Sequence, residues 1–256
     1  MANSLDGAID WRSRTKLLYG EEGAGRIASG AVFVAGLGAV GSFAVEALAR
    51  SGVGRMALVD FDAVEPSNIN RQLYALSSTV GKRKCDIARG RVLDINPACE
   101  VRCSDSRVSA DAQETAALIL REGRPDVIVD AIDDVDAKVA LMLAGLSLGI
   151  PVVSSMGAAR RVDPSQVRAG CLGEVSGCPL AKCVRKALRA KLADGGAPEA
   201  IQREKVVCIF SKEPPKPQIF VPEFGPRAMG SGICVTGTFG LVLAAEALGV
   251  ISRGRK

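Results

Sequence analysis

Apolar residues along the chain gather into short runs separated by longer stretches with helical spacing. AVFVAG (31–36), RMALVD (55–60), DVIVDAI (126–132) and PVVSS (151–155) are near-continuous apolar runs, as expected of strands covered on both faces. CEVRCS (99–104) alternates as a strand does. Between these runs lie stretches of helical period: SFAVEALARSG, residues 80–96 closed by Pro97, SADAQETAALILREG (109–123), and DAKVALMLAGLSLG ending at Gly149 before Pro151. In the third, acidic residues stand early and Arg121 late, which suits the helix dipole. Gly52 sits where a C-terminal cap belongs. Residues 11–29 read as an N-terminal helical arm with a break at Gly23 and Gly25.

Strand and helix alternate, which predicts an α/β fold: a Rossmann-like, doubly wound, mostly parallel sheet. After residue 156 the rhythm weakens. A helix over 179–192, a loop at ADGGAPEA (193–200) and a strand KVVCIF (205–210) precede an irregular, proline-rich connection. The apolar stretch 232–251 is long enough to raise the question of a membrane span, but its four glycines and Glu246 favour a buried core helix. We expect one domain over 1–256, with an N-terminal arm (1–30), an α/β core (31–156) and an irregular C-terminal extension (157–256).

Composition changes this picture little. A net charge of +5 permits a polyanionic partner without demanding one. Eight cysteines without an apolar leader point to free thiols and a reducing cytoplasm. No CxxC pair and no histidine occur, which argues against a zinc site.

The chemistry concentrates at strand ends. GLGAVG places Gly36, Gly38 and Gly41 between a predicted strand and a predicted helix. There the glycines allow a tight turn, an approach to phosphate and close helix packing, while the helix N-terminus attracts anions. Asp60 ends the next strand, placed to accept ribose hydroxyls. So far NAD and ATP fit equally. DFDAVEPSNINRQ then ends at Arg71, and Lys84 follows in GKRKCD. Cleavage of ATP between its α and β phosphates builds charge on the departing pyrophosphate, which fixed cations stabilise. Asp133, in DAIDD at a strand's carboxyl end, is placed to hold magnesium.

GLGAVGS, LVDFDAVEPSNINRQ, VGKRK and DAIDD together resemble the adenylylating fold of ubiquitin-activating enzymes and their bacterial ThiF-like relatives. WRSR…LLYGEEG, EALARSGVG, RVLDINP, VDPSQV, CPLAKCVRKAL, the run Cys208–Glu213 and TGTFG extend the likeness over most of the chain. They make it most similar to the tRNA threonylcarbamoyladenosine dehydratase subgroup. The resemblance implies ATP-dependent activation of a threonyl carboxylate on a modified adenosine beside the tRNA anticodon. Cyclisation with net loss of water follows. It implies that Asp60 binds ribose, that Asn68, Arg71 and Lys84 hold phosphates, and that Asp133 serves magnesium. It also implies a homodimer, sulfur-transfer partner proteins, and a cation from the N-terminal arm, for which Arg14 and Lys16 are the candidates. The zinc-binding CxxC pairs of sulfur-carrier-activating relatives are absent. Adenylylation of a ubiquitin-like sulfur carrier is therefore the second reading, and a NAD-dependent oxidoreductase a remote third.

Lys182, Arg185, Lys186 and Arg189 share one face of the helix over 179–192, a candidate tRNA contact that Arg160, Arg161 and Arg168 would extend. Cys208 reads as a buried thiol and Cys234 as a packing residue.

Overall fold

The computed structural model describes residues 10–192, 201–202, 205–225 and 229–254. The strands are β1 (Ala31–Ala35), β2 (Arg55–Val59), β3 (Glu100–Ser104), β4 (Val127–Asp130), β5 (Val152–Ser155), β6 (Val167–Gly170) and β7 (Val206–Ser211). The helices are α1 (Ser13–Ser29), α2 (Gly41–Arg50), α3 (Lys84–Ile95), α4 (Ala112–Arg121), α5 (Val135–Leu148), α6 (Pro179–Lys191) and α7 (Ile233–Arg253). All seven strands join one sheet, in the order β3-β2-β1-β4-β5-β7-β6. Every pairing is parallel except that of β6 with β7. The expected doubly wound sheet is therefore present. Its winding reverses between β1 and β4, and ligands of such sheets bind at the carboxyl ends of the strands there.

The apolar runs became strands because both faces are covered. On one face α1, α2, α3 and α7 bury Ile27, Leu48, Val92 and Phe239; on the other α4, α5 and α6 bury Ile119, Leu141 and Leu188. α2 stops in a Schellman turn. Gly52, at φ +88°, donates to Ala49, and Val53 donates to Leu48.

Two expectations need correction. The arm breaks at Gly20 (φ 70°, ψ 168°), not at Gly23 and Gly25. Gly23 instead lies buried in the helix, against Ser252 of α7. The sequence also gave no sign of β6, whose short VRAG run carries an exposed arginine. The loop expected at 193–200 lies outside the described residues. α7 is long and apolar enough to cross a membrane by length and composition. Here it packs on α1, α2 and the inner strands, burying Val235, Phe239, Leu243, Ala247 and Ile251.

Candidate active site

The turn after β1 is shaped by its glycines. Gly36 is left-handed at φ +88°, and a Cβ there would lie 2.9 Å from the carbonyl oxygen of Ala131, just past β4. A Cβ on Gly41 would fall 1.8 Å from the Gly36 oxygen, so only glycine lets α2 start this close to the turn. Gly38 has open space, bounded only by the Gln72 amide at 3.7 Å. Gly36 thus serves the turn and Gly41 the helix packing, while Gly38 leaves space above the turn.

Asp60, one residue past β2, binds the turn directly. Its Oδ2 accepts from the Leu37 N–H at 2.6 Å and its Oδ1 from the Asp62 N–H at 2.9 Å. An ionised carboxylate has about four lone-pair sites, so acceptor capacity remains for ribose hydroxyls.

Residues 66–68 form a 3-10 turn closed by a reciprocal cap. Asn68 is buried in it, and its Oδ1 accepts from the Glu65 N–H at 3.2 Å. Its oxygen therefore shapes the loop, while its Nδ2 donates to Ser67 Oγ at 3.4 Å and keeps a second N–H. Arg71 follows, and its Nη1 donates to the Ser67 carbonyl and to Asn70 Oδ1, both at 2.8 Å. That leaves most of its five donors unused. Lys84 opens α3 and is nearly buried. Its Nζ meets Asp62 Oδ2 at 2.7 Å, a partner that is 48% exposed.

Beyond β4 the chain carries two carboxylates with different duties. Asp134 caps α5, accepting from the Ala137 N–H at 3.0 Å. Asp133 is exposed. Among the described residues no three Cys, Asp or Glu side chains cluster as a metal-binding set. Magnesium commonly takes one or two protein carboxylates together with phosphates and water, and the single carboxylate of Asp133 fits that habit.

A buried network beneath this turn escaped the sequence reading. Lys138 of α5 and Asp130 of β4 are both fully buried, 2.8 Å apart. Ser154 donates to Asp130 Oδ2 at 2.6 Å, and Lys138 also donates to the Ser155 carbonyl at 2.9 Å. The other Asp130 oxygen accepts from the Ile132 N–H at 3.3 Å, within the turn that leads to Asp133. Gln72, Asn70 and Asp62 were also missed, although the quoted loop contained them.

Other candidates fall elsewhere. Arg12 packs on Gly52, and Lys16 pairs with Asp10 at 3.1 Å and faces Ser51. This is the end of α2 opposite the glycine turn, so the start of the arm, with Arg14 and Lys16, does not reach its own chain's crevice. On α6, Lys182, Lys186 and Arg189 are exposed, but Arg185 folds back on the carbonyls of Leu172 (3.1 Å) and Val175 (2.8 Å). Arg161 is buried and Arg168 donates to the nearby Ser165 and Val167 carbonyls, so neither extends that face. All eight cysteines are free. Burial pushes the Cys208 thiol up to about 12, which leaves it inert as a nucleophile at neutral pH. Cys234 is exposed at the start of α7.

Residues 12–255 match the pattern that defines the ThiF family. The chain is 38% identical over 237 residues to the tRNA threonylcarbamoyladenosine dehydratase of Bacillus subtilis, covering 86% of this chain and 92% of that one. The solved structure of the E. coli tRNA N6-threonylcarbamoyladenosine dehydratase in complex with ATP superposes with a TM-score of 0.80 at 33% identity, covering 93% and 92% of the two chains. Its complex with AMP gives a TM-score of 0.81 at 34% identity over the same shares. With a glycine turn, a carboxylate at the end of β2 and this likeness along almost its whole length, the chain belongs to the ThiF family.

Proposed function

We propose that this protein is an ATP-dependent tRNA threonylcarbamoyladenosine dehydratase. One observation carries the reading. In a chain matching such enzymes nearly end to end, the glycine turn borders Gln72, next to Arg71, and Asp60 is bonded to Asp62, the partner of Lys84, which brings two cations that plain dinucleotide binding does not need close to the turn.

The ATP phosphates lie against the N–H groups of the glycine turn and the first turn of α2, and Asp60 accepts from the ribose. Asn68 holds the loop that presents Arg71. A carboxylate oxygen of the threonylcarbamoyl group attacks the α-phosphorus and pyrophosphate leaves. Arg71 and Lys84 take up the charge that grows on it. Asp133 would hold a magnesium ion, which would neutralise phosphate charge. An internal nucleophile of the modified adenosine then displaces AMP from the activated carbonyl and closes the ring. The attacking atom bonds to the carbonyl carbon and gives its proton to solvent, one carboxylate oxygen departs with AMP, and the net change is loss of one water. No enzyme thiol is required.

Residues 31–156 form the nucleotide-binding core of one adenylylating domain, and residues 157–256 bind the substrate. The exposed lysines of α6 support a tRNA contact there. A homodimer is supported by Leu17 and Leu18 of α1, which are 79% and 76% exposed side by side. Free thiols accord with a cytoplasmic location.

The test is mass spectrometry of nucleosides from modified tRNA incubated with protein, ATP and magnesium. Loss of one water, with AMP formed alongside, is the expected result. The absence of both sinks the assignment. AMP formed only with a Gly-Gly-ending protein carrier would establish the sulfur-carrier reading instead.

A further inference from the structure

After β5 the chain runs through Gly157 into a turn at Arg160 and Arg161. Among the described residues, Arg160 is the one non-glycine with a left-handed backbone, at φ +61°. Glycine or asparagine adopts that conformation more readily. Two separate segments hold it there. The Arg160 N–H donates to the Gly230 carbonyl and the Arg160 carbonyl accepts from the Lys216 N–H, both at 2.8 Å. Arg161 turns inward and binds the Glu213 carbonyl at 3.0 Å and the Gly157 carbonyl at 2.6 Å. The Glu213 carboxylate in turn accepts from the N–H groups of Val162 and Asp163, at 3.0 and 2.9 Å. The turn is thus over-determined. Yet the half-exposed Arg160 guanidinium has no hydrogen-bond or ion-pair partner among the described residues. Backbone strain held by surrounding structure, beneath an uncommitted cation, marks a position kept for a ligand.

Its neighbourhood says which ligand. The segment 230–232, just ahead of α7, is bound on both sides. Gly230 accepts from Arg160, and Ser231 accepts from Asn70 Nδ2 at 2.9 Å. Asn70 also holds Arg71. Arg160 and Arg71 therefore flank one strap. Arg71, Lys84 and the glycine turn supply the nucleotide side, and Arg160 is the cation joined to the same strap through Gly230.

Resting on the dehydratase reading, we propose that Arg160 is a substrate-binding residue that grips a backbone phosphate of the tRNA beside the reacting nucleotide. A planar guanidinium fork matches phosphate, and the rigid turn fixes where that phosphate sits.

Arg160→Gly removes the cation and suits the left-handed backbone, so the variant folds. Expected are a tRNA affinity weakened about tenfold at low salt and a log–log salt dependence shallower by about one. ATP affinity without tRNA stays unchanged and the melting temperature does not fall. Arg160→Lys recovers part of the tRNA affinity. Unchanged tRNA affinity and salt slope in Arg160→Gly overturn the proposal, as does a loss of ATP affinity without a loss of tRNA affinity. A wild-type protein that neither binds tRNA nor forms AMP with it sinks the dehydratase reading itself. A wild-type protein that does both, beside an equally tight Arg160→Gly, sinks only the role of Arg160.

Discussion

Two lysine–aspartate pairs stand near the carboxyl end of the sheet, and by distance they look alike. Lys84 meets Asp62 at 2.7 Å and Lys138 meets Asp130 at 2.8 Å. Solvent separates them. Asp62 is 48% exposed, whereas both members of the second pair are 0% exposed. An open pair can exchange partners: water can solvate Asp62 if another anion takes its place on Lys84. A buried pair has no such option, because removing either charge strands the other in a medium that cannot solvate it. The first is thus suited to binding, the second to holding the β4–α5 turn under the crevice. Proximity of opposite charges says nothing about function until the exposure of each partner is known.

The largest test of this contrast is Asp130→Ala. It leaves Lys138 buried and unpaired, and should cost about 3–5 kcal/mol, read from the urea midpoint. Combining Lys138→Met, Asp130→Val and Ser154→Ala should restore most of that stability. Activity should stay low, because the Ile132 N–H has lost its acceptor. A triple variant as unstable as Asp130→Ala would refute the buried-charge account.

Next in size, Arg71→Ala should lose on the order of 3 kcal/mol of transition-state stabilisation in AMP formation. Stability should stay within about 0.5 kcal/mol. A variant with normal turnover removes Arg71 from the reaction.

Lys84→Met keeps the aliphatic stem and deletes the charge. It should weaken ATP binding by about 1.5–3 kcal/mol in calorimetry. The exposed partner limits the stability change to about 1 kcal/mol. If instead Lys84→Met unfolds the protein as Asp130→Ala does, the two pairs are not different in kind.

The smallest effect concerns Glu46 of α2, which binds Arg50 at 2.7 Å and Arg91 of α3 at 2.9 Å. Burial raises its affinity for a proton, but the two guanidinium groups outweigh this and hold its carboxyl below the ordinary 4.5. A depressed folded value means the contribution is complete above the unfolded value and lost as pH falls through the folded one. Melting temperature should therefore decline more steeply in acid for wild type than for Glu46→Gln. Parallel curves would remove this clip from the account.

The nucleotide half was legible because its rules are local. Parallel strands buried on both faces must be apolar throughout, and a turn that touches both phosphate and helix must be glycine. Arg71 and Lys84 stood out because ATP cleavage calls for fixed cations near the glycine turn. Lys138 went unread, and Arg161 was misread as a surface cation, because their burial is settled by distant segments. A signal for the first existed: a lysine inside the apolar run KVALMLAGL, and an aspartate ending the run VIVD, each needing a buried partner. Arg160, Arg161 and Arg168 read as one basic cluster, but hydrogen bonds to residues as far away as Glu213 and Gly230 give them different orientations. β6 was unreadable because an edge strand with one covered face needs few apolar residues.

The place of α7 in the chain has a consequence in time. A Cβ on Gly240 would lie 2.3 Å from the carbonyl oxygen of Val40, the residue before α2, so the helix seats directly against the end of the glycine turn. That turn emerges from the ribosome about two hundred residues before its support, at a translation rate of ~5–20 residues per second. A nascent chain that has reached only β7 carries α1, α2 and α3 on this face of its sheet but not α7, so Val34, Leu48 and Val129 lack part of their cover. The first functional motif to be synthesised is therefore among the last to become rigid, and ATP can be bound in earnest only once translation has passed α7.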